Sequence, residues 1–177
     1  MRHALIVVAI SAWASAAHAS VTDAAANGFT IEHSVSSTAS PQRLWAALTT
    51  DVGQWWHPDH TFSGRAANLT IDAKPLGCFC ERLDNGGSVV HLTVTFVKTG
   101  ETLRLTGGLG PLGLMGVDGN MTISVIATVA GATLKLVYSV GGYSPDGLES
   151  VAPAVDAVLG EQLRRLATFA ETGQPTR

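Results

Sequence analysis

Charge is scarce in this chain. Asp, Glu, Lys and Arg make up 14% of its 177 residues, hydrophobic residues make up 46%, and the formal net charge is −3. There is no basic block, so nucleic-acid binding has no electrostatic support. So little charge beside so much apolar content excludes disorder over most of the length, and the length itself suggests one domain. Cysteine is scarcer still: Cys78 and Cys80 are the only two. There is no internal repeat. Beyond the first twenty residues no apolar run is long enough to cross a bilayer. The glycine-rich stretch Gly107-Gly108-Leu109-Gly110-Pro111-Leu112-Gly113 lacks the Lys-Ser/Thr ending and the strand-to-helix setting of a phosphate cradle. It reads as an apolar flap, or as a loop packed down by Leu109, Leu112 and Leu114.

What is present begins with an address. Arg2 and His3 precede a small apolar run over residues 4–16, and Ala17-His18-Ala19 fits a small-x-small cleavage pattern. Residues 1–19 therefore read as a secretory signal peptide, the run being short and alanine-rich for a membrane span; the rival reading is an uncleaved membrane anchor. The expected location of the mature chain is periplasmic or secreted, with no membrane span after cleavage. Residues 20–27 are small and polar and read as a flexible lead-in. Residues 28–173 form the expected domain, and 174–177 a tail.

Phe29, Ile31, His33 and Val35 alternate with polar residues, the period of a strand. Ser40-Pro41 is a helix start, an N-cap followed by a proline whose missing N–H costs nothing there. Leu44, Trp45 and Leu48 share a face of that helix. Gly53 separates it from a second short helix ending at Trp55-Trp56, which His57-Pro58 stops. Strands are expected over 69–72, 78–83, 89–97, 102–106, 121–129 and 133–140. Asp84-Asn85-Gly86-Gly87 and Ala130-Gly131 mark hairpins. Met121, Ile123 and Val125, with Leu134, Leu136, Tyr138 and Val140, face one interior. A last helix over 150–172 carries Val151, Val155, Val158, Leu159, Leu163, Leu166, Phe169 and Ala170 as its apolar stripe. Asp156, Glu161, Arg164, Arg165 and Glu171 lie largely off it. Pro153 belongs to its first turn, and Gly173 is a C-terminal stop. The class is α+β.

The order of elements, the Ser40-Pro41-Gln42-Arg43-Leu44-Trp45 and Leu48 pattern, Gly53-Gln54-Trp55-Trp56, Gly77 before the cysteine strand, and the final helix resemble the START-like (SRPBCC) superfamily. The closest resemblance is to its heat-shock ATPase activator homologue branch. It covers residues 29–172. It implies a helix-grip fold: a curved antiparallel sheet wrapped around a long C-terminal helix, two short helices after the first strand, and a deep, mostly apolar cavity between sheet and helix. Members bind lipids, sterols, polyketides or plant hormones, and some are aromatase/cyclases. Chaperone stimulation needs the cytosol, which the apparent signal peptide argues against. The family has no universal catalytic residue to carry over.

Three functions follow as expectations. The first is an exported protein holding a small hydrophobic molecule, with no cofactor and no metal. Its cavity wall would include Trp55, Trp56, Phe62 and Phe79, with Leu92, Leu105, Ile123, Leu136, Tyr138 and Leu159. The second is a cyclase- or hydrolase-type enzyme with Glu81 and His91 as acid and base and Cys80 as a further candidate. The third is a protein-interaction module with Trp55-Trp56 as an exposed anchor. Adjacent on one short helix, at most one of these two tryptophans points inward. A two-residue turn at Asn85-Gly86 places Cys80 opposite His91, and a three-residue loop places Glu81 there. By parity with Val90, Leu92, Val94 and Phe96, His91 points outward, and a slip of one residue reverses that. Cys78 and Cys80, about 6.5–7 Å apart between Cα atoms on a regular strand, read first as two thiols packed as small hydrophobes; a bridge needs a local bulge. His57-Pro58-Asp59-His60 has no recognised zinc spacing and reads as a loop at the cavity mouth.

Overall fold

The computed structural model of the protein describes residues 18–176. Alternation through Phe29, Ile31 and His33 becomes strand β2 (Gly28–Ser37), with those three side chains buried. At its end Ser40 accepts the Arg43 N–H at 3.2 Å and caps α1 (Pro41–Thr50), which buries Leu44, Ala47 and Leu48. Trp45 is half-buried against the core. A one-turn helix, α2 (Val52–Trp55), follows directly.

Apart from loops and short 3-10 turns, six strands fill the chain up to the last helix: β3 (Leu69–Ile71), β4 (Cys78–Arg82), β5 (Ser88–Lys98), β6 (Thr102–Thr106), β7 (Gly116–Thr128) and β8 (Gly131–Tyr143). With β1 (His18–Ala25) they form one curved, wholly antiparallel sheet of eight strands, ordered β1-β2-β8-β7-β6-β5-β4-β3. The inward set Met121, Ile123, Val125, Leu134, Leu136, Tyr138 and Val140 is buried as its alternation requires.

Residues 20–27, expected as a flexible lead-in, are mostly edge strand instead. β1 pairs with β2 from His18↔Ser34 to Ala25↔Gly28. An edge strand supplies backbone groups to a neighbour and needs no apolar face, so small polar residues suffice. The expected signal segment lies outside the described residues, except His18 and Ala19, which stand in β1.

The final helix, α3 (Ala152–Thr172), carries Pro153 in its first turn and ends on Gly173 in the left-handed conformation (φ 76°). Its stripe packs on the sheet through Leu159, Leu163, Leu166 and Phe169. Arg165 departs from expectation: it is buried, its guanidinium donating to the Trp55 carbonyl at 2.7 Å and to the Thr176 carbonyl. At the far end Glu171 accepts from Ser37 Oγ and the Thr38 N–H, both at 2.8 Å. Polar residues beside the stripe thus tie α3 to the β2–α1 connection and to α2.

Candidate functional site

The β4–β5 hairpin places the polar pair. Cys78 and Cys80 are joined by a disulfide, with Cα atoms 5.4 Å apart, closer than regular strand spacing of about 6.5–7 Å. The expectation of two free thiols is therefore corrected, and Cys80 is not an available nucleophile. The contraction coincides with a register slip: Phe79 lies opposite Leu92, but Cys80 lies opposite Val90, and His91 is the extra residue. A bulge breaks the alternation of faces. His91 and Leu92 are both buried, while Val90 is exposed. A second slip between Val94 and Phe96 exposes Phe96. The single oily face expected on this strand is overturned, and His91 points inward. Neither expected hairpin register holds, since Glu81 stands opposite Val89.

The side chains of Glu81 and His91 nonetheless meet. Glu81 is 1% exposed. Its Oε1 accepts the Ser63 N–H at 2.6 Å; its Oε2 accepts the Phe62 N–H at 3.0 Å and lies 2.9 Å from His91 Nε2. Burial by itself raises the pKa of this carboxyl. Hydrogen bonds from Ser63, Phe62 and His91 outweigh it and hold the value below the ordinary one. An ionised carboxylate accepts only, so His91 presents Nε2–H to it, and a neutral ring then carries its lone pair on Nδ1. That Nδ1 is buried and has no hydrogen-bond partner among the described residues. The imidazole is stacked against Phe62 (5.7 Å, 11°) and lies 5.2 Å from Phe79.

The ring lines a pocket of about 290 Å³ with mostly apolar walls. Of the expected ligand-contacting residues, Trp56, Phe62, Phe79 and Leu159 line it. Trp55, Leu92, Leu105, Ile123 and Leu136 instead surround an inner void of about 30 Å³ between sheet and α3, room for about one water molecule. Trp56, Phe79, Leu109 and Leu159 border both spaces and separate them. The deep cavity expected between sheet and helix is thus filled by interdigitating side chains, and the usable space lies nearer the surface.

Tyr138 borders neither space. It is fully buried, and its hydroxyl donates to the Gly107 carbonyl (2.8 Å) and accepts the Leu109 N–H (3.0 Å). Burial pushes its pKa up to about 12. Gly119 makes room for this ring, since a Cβ there would lie 2.6 Å from it. The glycine-rich loop is therefore pinned, with Leu112 buried and Leu114 exposed, and it brings Leu109, Gly110 and Pro111 to the pocket wall. Trp55 and Trp56 are both buried, donating to the Ala47 and His60 carbonyls at 2.8 and 2.9 Å. The expectation that only one points inward is corrected, and with it the exposed anchor. His60 and Asp59 stand at the pocket wall. His57 and His60 come within 3.9 and 3.7 Å of Glu161, but no group of three or more side chains suited to a metal occurs among the described residues.

Ala154, Val155 and Val158 of α3 also line the pocket and were absent from the expected wall. Their signal was present in the helix stripe: Val155 and Val158 belong to it yet are only partly buried, and both line the pocket.

No protein-family model matches the chain, and no curated protein sequence matches it. Solved structures do. A conserved protein of unknown function from Enterococcus faecalis is 16% identical, with 90% of this chain and 80% of that one covered and a TM-score of 0.58. A protein from Chromobacterium violaceum is 19% identical over 80% of this chain and 96% of that one, TM-score 0.55. A protein of the dynemicin biosynthetic locus is 20% identical over 84% of this chain and 49% of that one, TM-score 0.57. At these identities the likeness is one of fold.

Proposed function

We propose that this chain is an exported helix-grip protein of the START-like kind that binds a small hydrophobic molecule in the pocket bounded by Trp56, Phe79, His91, Leu109, Val158 and Leu159. The observation that carries this reading is the pocket itself: about 290 Å³ of largely apolar space, near the lower end of ligand-sized cavities at about 300 Å³. Affinity would come from apolar surface removed from water, at about 25 cal/mol per Å². Export is supported by the signal-like N-terminal sequence and by the Cys78–Cys80 bridge, since disulfides persist in oxidising compartments. The similar protein of the dynemicin locus, about half of whose length this chain spans, comes from a biosynthetic locus, which is consistent with small-molecule handling.

Native mass spectrometry of the protein purified from its own cells, beside a denatured sample, tests the reading. A small molecule that is retained natively and lost on denaturation is expected. Val158→Trp, which fills the pocket from α3, should abolish that retention while the fold persists. A clean apo mass in the wild type at full recovery would count against ligand storage.

A second reading is favoured by one specific observation, the buried Glu81–His91 pair at 2.9 Å on the pocket wall. A carboxylate that orients an imidazole supplies the general base of an acid–base enzyme of cyclase or hydrolase type. On that reading His91→Ala abolishes turnover of the retained molecule. On the binding reading it only weakens retention. The Trp55-Trp56 anchor is withdrawn, since both rings are buried.

A further inference from the structure

Three buried polar side-chain atoms lack a hydrogen-bond partner among the described residues: His91 Nδ1, Asp156 Oδ1 and Gln162 Nε2. Asp156 Oδ1 has an ionic neighbour, His33 Nε2 at 2.9 Å. Gln162 borders the inner void, where one water fits. His91 alone of the three residues lines the larger pocket. A buried acceptor left without a donor is costly, and each case asks for a reason.

The surroundings of His91 determine what kind of group can satisfy it. Glu81 takes the Nε2 side of the ring and is itself fixed by two backbone N–H groups. The ring cannot offer a proton from Nδ1 without giving up that arrangement or becoming a cation. Phe62 and Phe79 hold its plane, so the lone pair has one direction. Phe62, stacked on the imidazole, is itself 52% exposed at the outer side of this wall. An anionic ligand is disfavoured, because it would meet a lone pair backed by the Glu81 charge, with Asp59 also on the wall. Apart from His60 and Thr61, the remaining walls are apolar.

We infer that the ligand is a compact, largely apolar molecule bearing an O–H or N–H donor, and that Nδ1 of His91 accepts this hydrogen bond while Glu81 holds the imidazole in the accepting tautomer. This rests on the pocket being a ligand site, as proposed above, and adds the polar group that the ligand must carry. His91 is then the residue that separates a hydroxylated ring from the bare hydrocarbon.

Naphthalene and 2-naphthol, which differ by one hydroxyl, test this by titration calorimetry on the mature protein and on His91→Phe. The variant keeps an aromatic ring between Phe62 and Phe79 and removes the nitrogen. The ratio of the two affinities in the wild type, divided by that in His91→Phe, cancels their different hydrophobicity. The expected quotient is about tenfold in favour of 2-naphthol. A quotient of one with both compounds binding overturns the inference and leaves the pocket reading standing. Binding of neither compound sinks both. Should His91→Phe fail to fold, nitrogen-15 NMR of the wild-type imidazole decides. A bare Nδ1 that shifts with 2-naphthol but not with naphthalene supports the inference; a protonated Nδ1 in the free protein, or equal shifts, overturns it.

Discussion

Glu81 shows how a single charged residue becomes affordable in an interior. Its carboxylate is 1% exposed, yet three donors surround it, and together they overcome the burial that by itself raises its pKa. Because the folded value lies below the ordinary one, the folded protein holds this proton less tightly than the unfolded chain. The stabilisation is complete above the unfolded value, about 4.3, and is lost as pH falls through the lowered folded value. Glu81→Gln keeps the size but removes the charge and places an amide N–H₂ against at least one backbone donor. We expect it to cost about 1–3 kcal/mol at neutral pH. Its urea midpoint should also fall less steeply than that of the wild type below pH 4.5. Equal acid slopes in the two proteins would show that Glu81 does not carry this dependence.

At the scale of elements, the β4–β5 hairpin is where local chemistry redirects the chain. The closed loop between Cys78 and Cys80 is so short that the chain-entropy account assigns the bridge only about 1.5 kcal/mol. Its larger consequence is geometric, since the contracted strand and the slipped register leave His91 as the bulge residue facing inward. Cys78→Ser with Cys80→Ser should therefore lower stability by no more than about 2 kcal/mol in urea denaturation. The same double variant should change the NMR environment of His91 well beyond that of distant residues such as Leu134. An unaltered His91 signal would show that the bulge forms without the bridge. The β7–β8 ribbon behaves differently. Its register runs unbroken from Gly116↔Tyr143 to Thr128↔Gly131, and there the alternation of apolar residues places every inward side chain as expected.

For the molecule as a whole, the relation between α3 and the sheet sets how much space remains for a ligand. Leu159 is 1% exposed and belongs to the wall between the pocket of about 290 Å³ and the void of about 30 Å³. Leu159→Ala should cost about 2–5 kcal/mol, the range for large-to-small core changes. It should also join the two spaces, so that a three-ring hydrocarbon such as anthracene gains affinity relative to naphthalene in titration calorimetry. A loss of stability with no change in that preference would mean that the wall collapses. Arg165 and Glu171 hold the same helix at its flank and end, which keeps the pocket edge formed by Val155 and Val158 in place.

Residue order alone determined the α+β class, the Ser40 cap, the hairpin at Asn85-Gly86, the inward faces of β7 and β8, and the long closing helix. Each of these depends on contacts within a few residues or on a simple period, and such signals are written along the chain. The approach of Glu81 to His91 was legible for the same reason, because any hairpin through that turn brings the two strands together. Tertiary structure decided the rest. The bulge that turns His91 inward breaks the very period used to read strand faces. β1 carries no apolar alternation and becomes a strand because β2 offers it a free edge. The filling of the sheet–helix interior, and with it the transfer of the ligand space to the outer pocket, depends on how side chains from β5, β6, β7, β8 and α3 interdigitate. That packing is a property of volumes meeting across the core, and no local pattern encodes it.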